Sequence, residues 1–154
     1  MTIFLLSVHV LVAIIAVGPV TIAASMFAPA VRSALREPGS AGVVTTLHRI
    51  CNVYAAIGLA VPVLGIATAM SMNVLGDPWL VVSVVLTGVA AVVLAVAVLP
   101  GQQRLLEQLT SPAGLGTGQE PAIRGLAIST GLFSLLWTVV TVLMIARPGS
   151  TTGA

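Results

Sequence analysis

The two histidines of this chain are the side chains best suited to chemistry, because imidazole can ligate a metal or a haem and can pass a proton near neutral pH. His9 lies in a stretch without charged residues that runs from Met1 to Val31. His48 is followed directly by Arg49, and Asn52 lies four residues beyond it. What each histidine can do depends on the neighbours that its helix gives it.

His9 lies on a helical face of small and apolar residues. That face continues through Ala13, Ala16, Val20, Ala23 and Phe27. Small residues at this spacing let a second helix approach closely, so we expect His9 to face other helices. Its structural interpretation is a neutral imidazole hydrogen-bonded to a Ser or Thr of another helix, and its functional interpretation is a metal or haem ligand or a proton relay. A haem would need a second axial ligand, for which Met144, Met70 and Met72 lie at a suitable depth.

His48, Arg49 and Asn52 form the second polar group. Residues four apart share one side of a helix, so His48 and Asn52 can act together. The three side chains could form a pocket for an anionic lipid headgroup or for a propionate-bearing cofactor. Arg49 alone could instead anchor the end of a helix by reaching towards lipid phosphates. Both interpretations place this group at a membrane surface.

The composition indicates a membrane protein. Hydrophobic residues make up 58% of the chain and charged residues 6%, whereas soluble domains carry about 25% charged residues. So few charges cannot cover a water-soluble protein of 154 residues. Four stretches without charge are each long enough to cross a hydrocarbon core of about 30 Å as a helix. They predict spans at about residues 3–29, 50–73, 79–100 and 123–146.

The predicted fold is all-α, a single polytopic domain of four transmembrane helices in an antiparallel bundle, since only helices satisfy their backbone groups within one segment in lipid. A cytoplasmic linker at about 101–121 includes an amphipathic extension of the third helix and a flexible stretch from Thr110 to Gly118. Gly58, Pro62 and Gly65 predict a second span that can kink and that can pack closely against another helix.

The arginines predict the orientation. Those beside the first and third connections are Arg32, Arg36, Arg49, Arg104 and Arg124. Only Arg147 lies on the opposite side, so the two connections are predicted to be cytoplasmic and both termini to lie outside. His9 and His48 then lie at opposite ends of the spans, roughly 20 Å or more apart, which is too far to share a metal ion. The absence of lysine beside abundant Ala, Val and Gly is typical of a GC-rich bacterial genome, which predicts the bacterial inner membrane.

The sequence also excludes several classes of function. The single Cys51 allows neither a disulfide framework nor a cysteine-based zinc site, and scattered arginines do not form a nucleic-acid-binding face. No acidic residue lies within a span, and the known hydrolase and nucleotide-binding motifs do not occur. We therefore expect a non-enzymatic accessory or oligomerising subunit that contacts the lipid bilayer and a second copy or a larger membrane complex. The alternative is a haem-associated or redox membrane protein that uses His9.

The segment from Leu5 to Gly18 (LLSVHVLVAIIAVG) resembles the opening of a bacterial family of predicted integral membrane proteins, the domain-of-unknown-function 2269 family. The resemblance depends on the early His9, on the small and apolar run that ends in Gly18, and on the His48-Arg49 pair that opens the second span. It covers most of the chain and implies four spans. It implies membership of this family and no particular reaction.

Overall fold

The computed structural model describes residues 2–111 and 118–149, and every regular element within these ranges is a helix. The α-helices are α1 (Thr2–Arg36), α2 (Ala41–Gly58), α3 (Ala60–Met72), α4 (Pro78–Val92), α5 (Leu99–Thr110) and α6 (Glu120–Ala146). A 3-10 turn, Pro38–Ser40, joins α1 to α2, and a π-helical segment, Val93–Val98, joins α4 to α5.

These elements make four spans, because α2 and α3 form one long helix and α4, the π-helical segment and α5 form another. The spans, each long and apolar enough to cross a membrane, are Thr2–Arg36, Ala41–Met72, Pro78–Thr110 and Glu120–Ala146. This confirms the predicted all-α class with four transmembrane helices. The helices are longer than the predicted apolar stretches, since amphipathic turns continue them at the membrane surface.

The connection predicted at about 101–121 begins with a helix. Its first half is helical, because α5 continues the third span to Thr110. This agrees with the predicted amphipathic extension, and the buried residues of α5 are Gln102 and Leu105, three apart on one side. Most of the flexible stretch predicted from Thr110 to Gly118 lies outside the described residues.

The second span is interrupted at Leu59, between α2 and α3. Pro62 has no amide hydrogen to donate to the carbonyl of Gly58, so the α-helical bonding pattern cannot continue through this turn. The amide of Leu59 instead donates to the carbonyl of Ala56 at 3.2 Å. The interruption lies where Gly58 and Pro62 predict a helix that can kink.

The third span is interrupted at nearly the same depth by the π-helical segment Val93–Val98. Pro100 follows this segment and cannot donate to the carbonyl of Val96, and its ring crowds that carbonyl. A wider turn before the proline relieves the crowding and keeps the helix continuous. Two neighbouring spans thus both deviate from regular α-helix near the middle of the bundle.

The first span holds the bundle together. α1 packs along α2 and α3 and also against α6, whereas α4 packs on α6 and α2 packs on α5. The main apolar core lies at the end of the bundle that carries Arg32, where Phe27, Val31, Val44 and Val98 are fully buried. Many other large apolar side chains are exposed around the outside, as suits helices that face hydrocarbon.

Each end of the bundle has a polar contact between spans. At one end, the indole nitrogen of Trp79 donates to Asp77 at 3.0 Å, and the guanidinium of Arg147 lies 5.7 Å from the centre of the Trp79 ring. At the other end, Arg32 pairs with Glu120 at 2.6 Å, beyond the charge-free stretches. The hydrogen bond from Arg32 lowers the pKa of the Glu120 carboxyl below its ordinary value. The ends of the first and fourth spans therefore lie together on one side.

Candidate functional site

His9 faces the bundle, as predicted, and is buried between α1 and α3. Its ring lies against Gly65, where an added methyl carbon would come within 3.1 Å of imidazole Cε1. The ring also lies beside the backbone of Val61. The absence of a side chain at Gly65 is therefore what lets an imidazole fit between these helices.

The Nδ1 atom of His9 is buried and has no hydrogen-bond partner within residues 2–111 and 118–149. The Ser or Thr expected as its partner does not reach this atom. A buried polar atom without a partner is unfavourable, so this nitrogen is a position at which a bound molecule would gain a hydrogen bond or a ligand bond.

Of the three methionines predicted as haem ligands, Met72 is partly exposed at the end of α3. Met144 packs with Ala69, Trp79 and Leu80, and Met70 is exposed. In the part of the chain that the structure describes, no three His, Cys, Asp or Glu side chains are grouped so that they could hold a metal ion. A metal or a haem on His9 stays a prediction.

The second polar group is larger than the sequence predicts. His48 and Asn52 do come together, with Asn52 Nδ2 at 3.0 Å from His48 Nε2. The added member is Gln102 of α5, whose Oε1 lies 3.2 Å from His48 Nδ1 and whose Nε2 lies 3.4 Å from the sulfur of Cys51. We call Cys51, Asn52, His48 and Gln102 the polar cluster.

The polar contacts of the cluster join α2 to α5. The Nδ2 atom of Asn52 donates to the backbone carbonyl of His48 at 3.0 Å and lies over the imidazole ring, 3.0 Å from Nε2 and 3.4 Å from Nδ1. The amide of Gln102 donates to the Cys51 sulfur, and its Oε1 lies beside Nδ1 of His48. The Cys51 sulfur in turn lies 4.0 Å from the carbonyl oxygen of Val20.

Arg49 does not join the polar cluster. Its side chain is exposed, and it makes no hydrogen bond to another residue that the structure describes. The pocket predicted from His48, Arg49 and Asn52 is therefore divided: two of its members face α5, and Arg49 faces outward at the membrane surface. This position suits an anchor to lipid headgroups.

Gln102 is the residue that sequence reasoning missed. It is fully buried, although it stands at the start of a polar segment. The available signal was its spacing, since Val98, Gln102 and Leu105 repeat at intervals of four and three residues and all three are buried. A glutamine at such a position needs internal partners, and the polar cluster supplies them.

A cavity of about 330 Å³ lies beside the polar cluster, in the middle of the bundle. All four spans contribute to its lining, and Asn52 lies at its edge. Its lining is mainly apolar, with Tyr54, Thr87 and Trp137 as further side chains that carry polar atoms. This volume is at the lower end of the range of about 300–1,000 Å³ that ligand pockets occupy.

We expect Gln102→Leu to lower the free energy of unfolding by about 1–3 kcal/mol, because it removes the side-chain partner of the half-buried His48 Nδ1 atom. The matched control is Gln103→Leu, since Gln103 is exposed and bonds only to Glu107. The measurement is unfolding in mixed micelles with increasing dodecyl sulfate, followed by circular dichroism. Equal stability losses in the two variants would contradict the role given to Gln102.

Comparison with models of known protein families, with curated proteins and with solved structures finds no match for this chain. No fold or activity is therefore transferred to it from another protein. The resemblance based on Leu5–Gly18 and on the His48-Arg49 pair stays a prediction. The function has to be argued from the residues of the chain and from their positions in the bundle.

Proposed function

We propose that this protein is a non-enzymatic subunit of the bacterial inner membrane that associates with a second copy of itself. The observation that carries the proposal is one face of α6. On it, Ala127, Gly131 and Thr138 are exposed, and Ser134 lies between them. We call these four residues the α6 face.

The α6 face suits close contact with another helix. Its residues are four, three and four positions apart, so they follow one side of the helix. A methyl carbon added at Gly131 would meet no atom within 4 Å, which leaves the surface open. In lipid, helices associate through small residues of this kind, because these let two backbones approach and gain van der Waals contact.

The proposed subunit role also follows from what the described residues contain. The side chains that could take part in a reaction are His9 and the polar cluster. Neither is arranged as a nucleophile with a base and an orienting acid. Most of the remaining surface is apolar and faces hydrocarbon. An association partner within the membrane is therefore a better fit than a reaction.

We expect Gly131→Cys to form disulfide-linked dimers in native membranes treated with a mild oxidant, because the α6 face would bring two copies of residue 131 together. Gly88→Cys is the matched control, since Gly88 is exposed on α4 and a carbon added there also meets no atom within 4 Å. Gly131→Leu should reduce the fraction of the protein that runs as a dimer on a native gel. A monomer in the unmodified chain, or equal crosslinking at both positions, would contradict the proposal. A complex that contains other proteins and only one copy of this chain would also contradict association with a second copy.

We also propose that the connections after the first and third spans lie in the cytoplasm and that both termini lie outside. The five arginines on one side support this orientation, and the ion pair of Arg32 with Glu120 supports grouping those two connections on one side. The resemblance to the domain-of-unknown-function 2269 family agrees with a bacterial membrane location and adds no activity.

The orientation predicts how introduced cysteines react in intact cells. A membrane-impermeant maleimide should label Gly76→Cys, on the outer connection, and should not label Ser40→Cys until the membrane is opened. Cys51 is buried, so the unmodified chain serves as the background control. Labelling of Ser40→Cys from outside would reverse the proposed orientation.

A second candidate function is favoured by the unpaired Nδ1 atom of His9. A haem-associated or redox protein would use this nitrogen as a ligand. The purified protein would then show a Soret absorption band that His9→Ala removes, whereas His48→Ala would keep it. A protein that stays colourless after addition of haem would exclude the haem version of this function.

A further inference from the structure

The cavity between the spans has a closed floor and an open side. Its floor is formed by Ala16 and Val20 of α1 and by Phe133 of α6, all of them buried. Several lining residues on the other two spans, among them Leu59 and Ala91, are exposed, whereas none on those spans is buried. The opening therefore lies between the second and third spans and faces the hydrocarbon of the bilayer.

Both irregular turns of the bundle lie at this cavity. Leu59, where the second span is interrupted, and Leu94, within the π-helical segment of the third span, both line it. The second and third spans are in contact through α2 and α5, nearer the Arg32 end. π-helical turns are frequent at functional sites, so their presence here favours a binding role.

Two hydrogen-bond donors of the lining have no protein acceptor. The hydroxyl of Tyr54 and the indole nitrogen of Trp137 make no hydrogen bond to any residue in 2–111 or 118–149, and neither atom is enclosed by protein. Trp137 lies nine residues from the nearer end of α6, at a depth where the bilayer offers no acceptor, and a donor left without one is unfavourable. The two donors therefore indicate an occupant that carries acceptor oxygens.

The size and lining of the cavity narrow the choice of occupant. A volume of about 330 Å³ is too small for a helix of another subunit, whose diameter is about 10–12 Å. A water molecule needs two to four polar partners, which this mainly apolar lining does not offer at one point. A lipid acyl chain would fill the space and leave both donors unsatisfied.

We propose that this cavity binds a membrane-soluble carbonyl compound of the quinone type. Its flat, apolar ring contacts the small side chains of the floor, and its carbonyl oxygens accept hydrogen bonds from Tyr54 and Trp137. An apolar tail would leave through the opening between the second and third spans. The proposal concerns binding alone and is independent of the association through the α6 face.

The test uses tryptophan fluorescence, because Trp137 lines the cavity and the chain has only one other tryptophan, Trp79. The full chain is placed in nanodiscs of phosphatidylethanolamine and phosphatidylglycerol and titrated with decylubiquinone. We expect saturable quenching of the fluorescence. Tyr54→Phe, which keeps the ring and removes one donor, should weaken binding by about fivefold.

Larger side chains in the cavity should weaken the binding of decylubiquinone. Ala55→Leu and Ala91→Leu, from different spans, each place a larger side chain in the cavity and should weaken binding at least tenfold. Ala97→Leu is the control, because Ala97 is exposed on the third span and does not line the cavity. Two such variants are used so that binding can still be measured if one of them does not fold.

Three results would overturn the proposal. Quenching that rises linearly without saturation would show partition into lipid and no site. Saturable quenching that is equal in Ala91→Leu and in Ala97→Leu would place the quinone outside this cavity. Finally, nanodiscs of mid-chain brominated phosphatidylcholine report on acyl chains: bromine quenching that decylubiquinone does not relieve would assign the cavity to lipid.

Discussion

Hydrocarbon offers no hydrogen bonds, and this constraint explains most of the molecule. Each span satisfies its backbone groups within its own helix, and the outer surface is left to large apolar side chains. Burial of apolar area cannot drive helices together when the solvent itself is apolar, so close packing and internal polar contacts must hold the bundle together. The contact of His9 with Gly65 and the bonds of Gln102 are examples of these two means.

The same constraint gives meaning to polar atoms that lack partners. In the polar cluster, the side chains of His48, Gln102 and Cys51 contact one another, so the cluster joins α2 to α5. Nδ1 of His9, the Tyr54 hydroxyl and the Trp137 indole nitrogen are different, because no described residue pairs with them. Tyr54 on the second span and Trp137 on the fourth both line the cavity, and their unpaired donors carry the proposal of a bound molecule.

The class of fold could be predicted from the sequence because charge-free length is a direct consequence of the bilayer thickness. The burial of His9 could be predicted from the spacing of its small neighbours, and the kink of the second span from Pro62. The partnership of His48 with Gln102 could not, since the two residues are 54 positions apart and nothing local shows which spans meet. The cavity was also not foreseen, because it depends on a kink and a π-helical turn at the same depth in two different spans.

The central claim is that the bilayer is the solvent for most of this chain. Alkaline carbonate extraction of cell membranes tests it most directly, because this treatment removes peripheral proteins and leaves helices that cross the membrane. The account predicts that the protein stays in the membrane pellet until detergent is added. Recovery of the folded chain in the carbonate supernatant would contradict the four spans and everything argued from them.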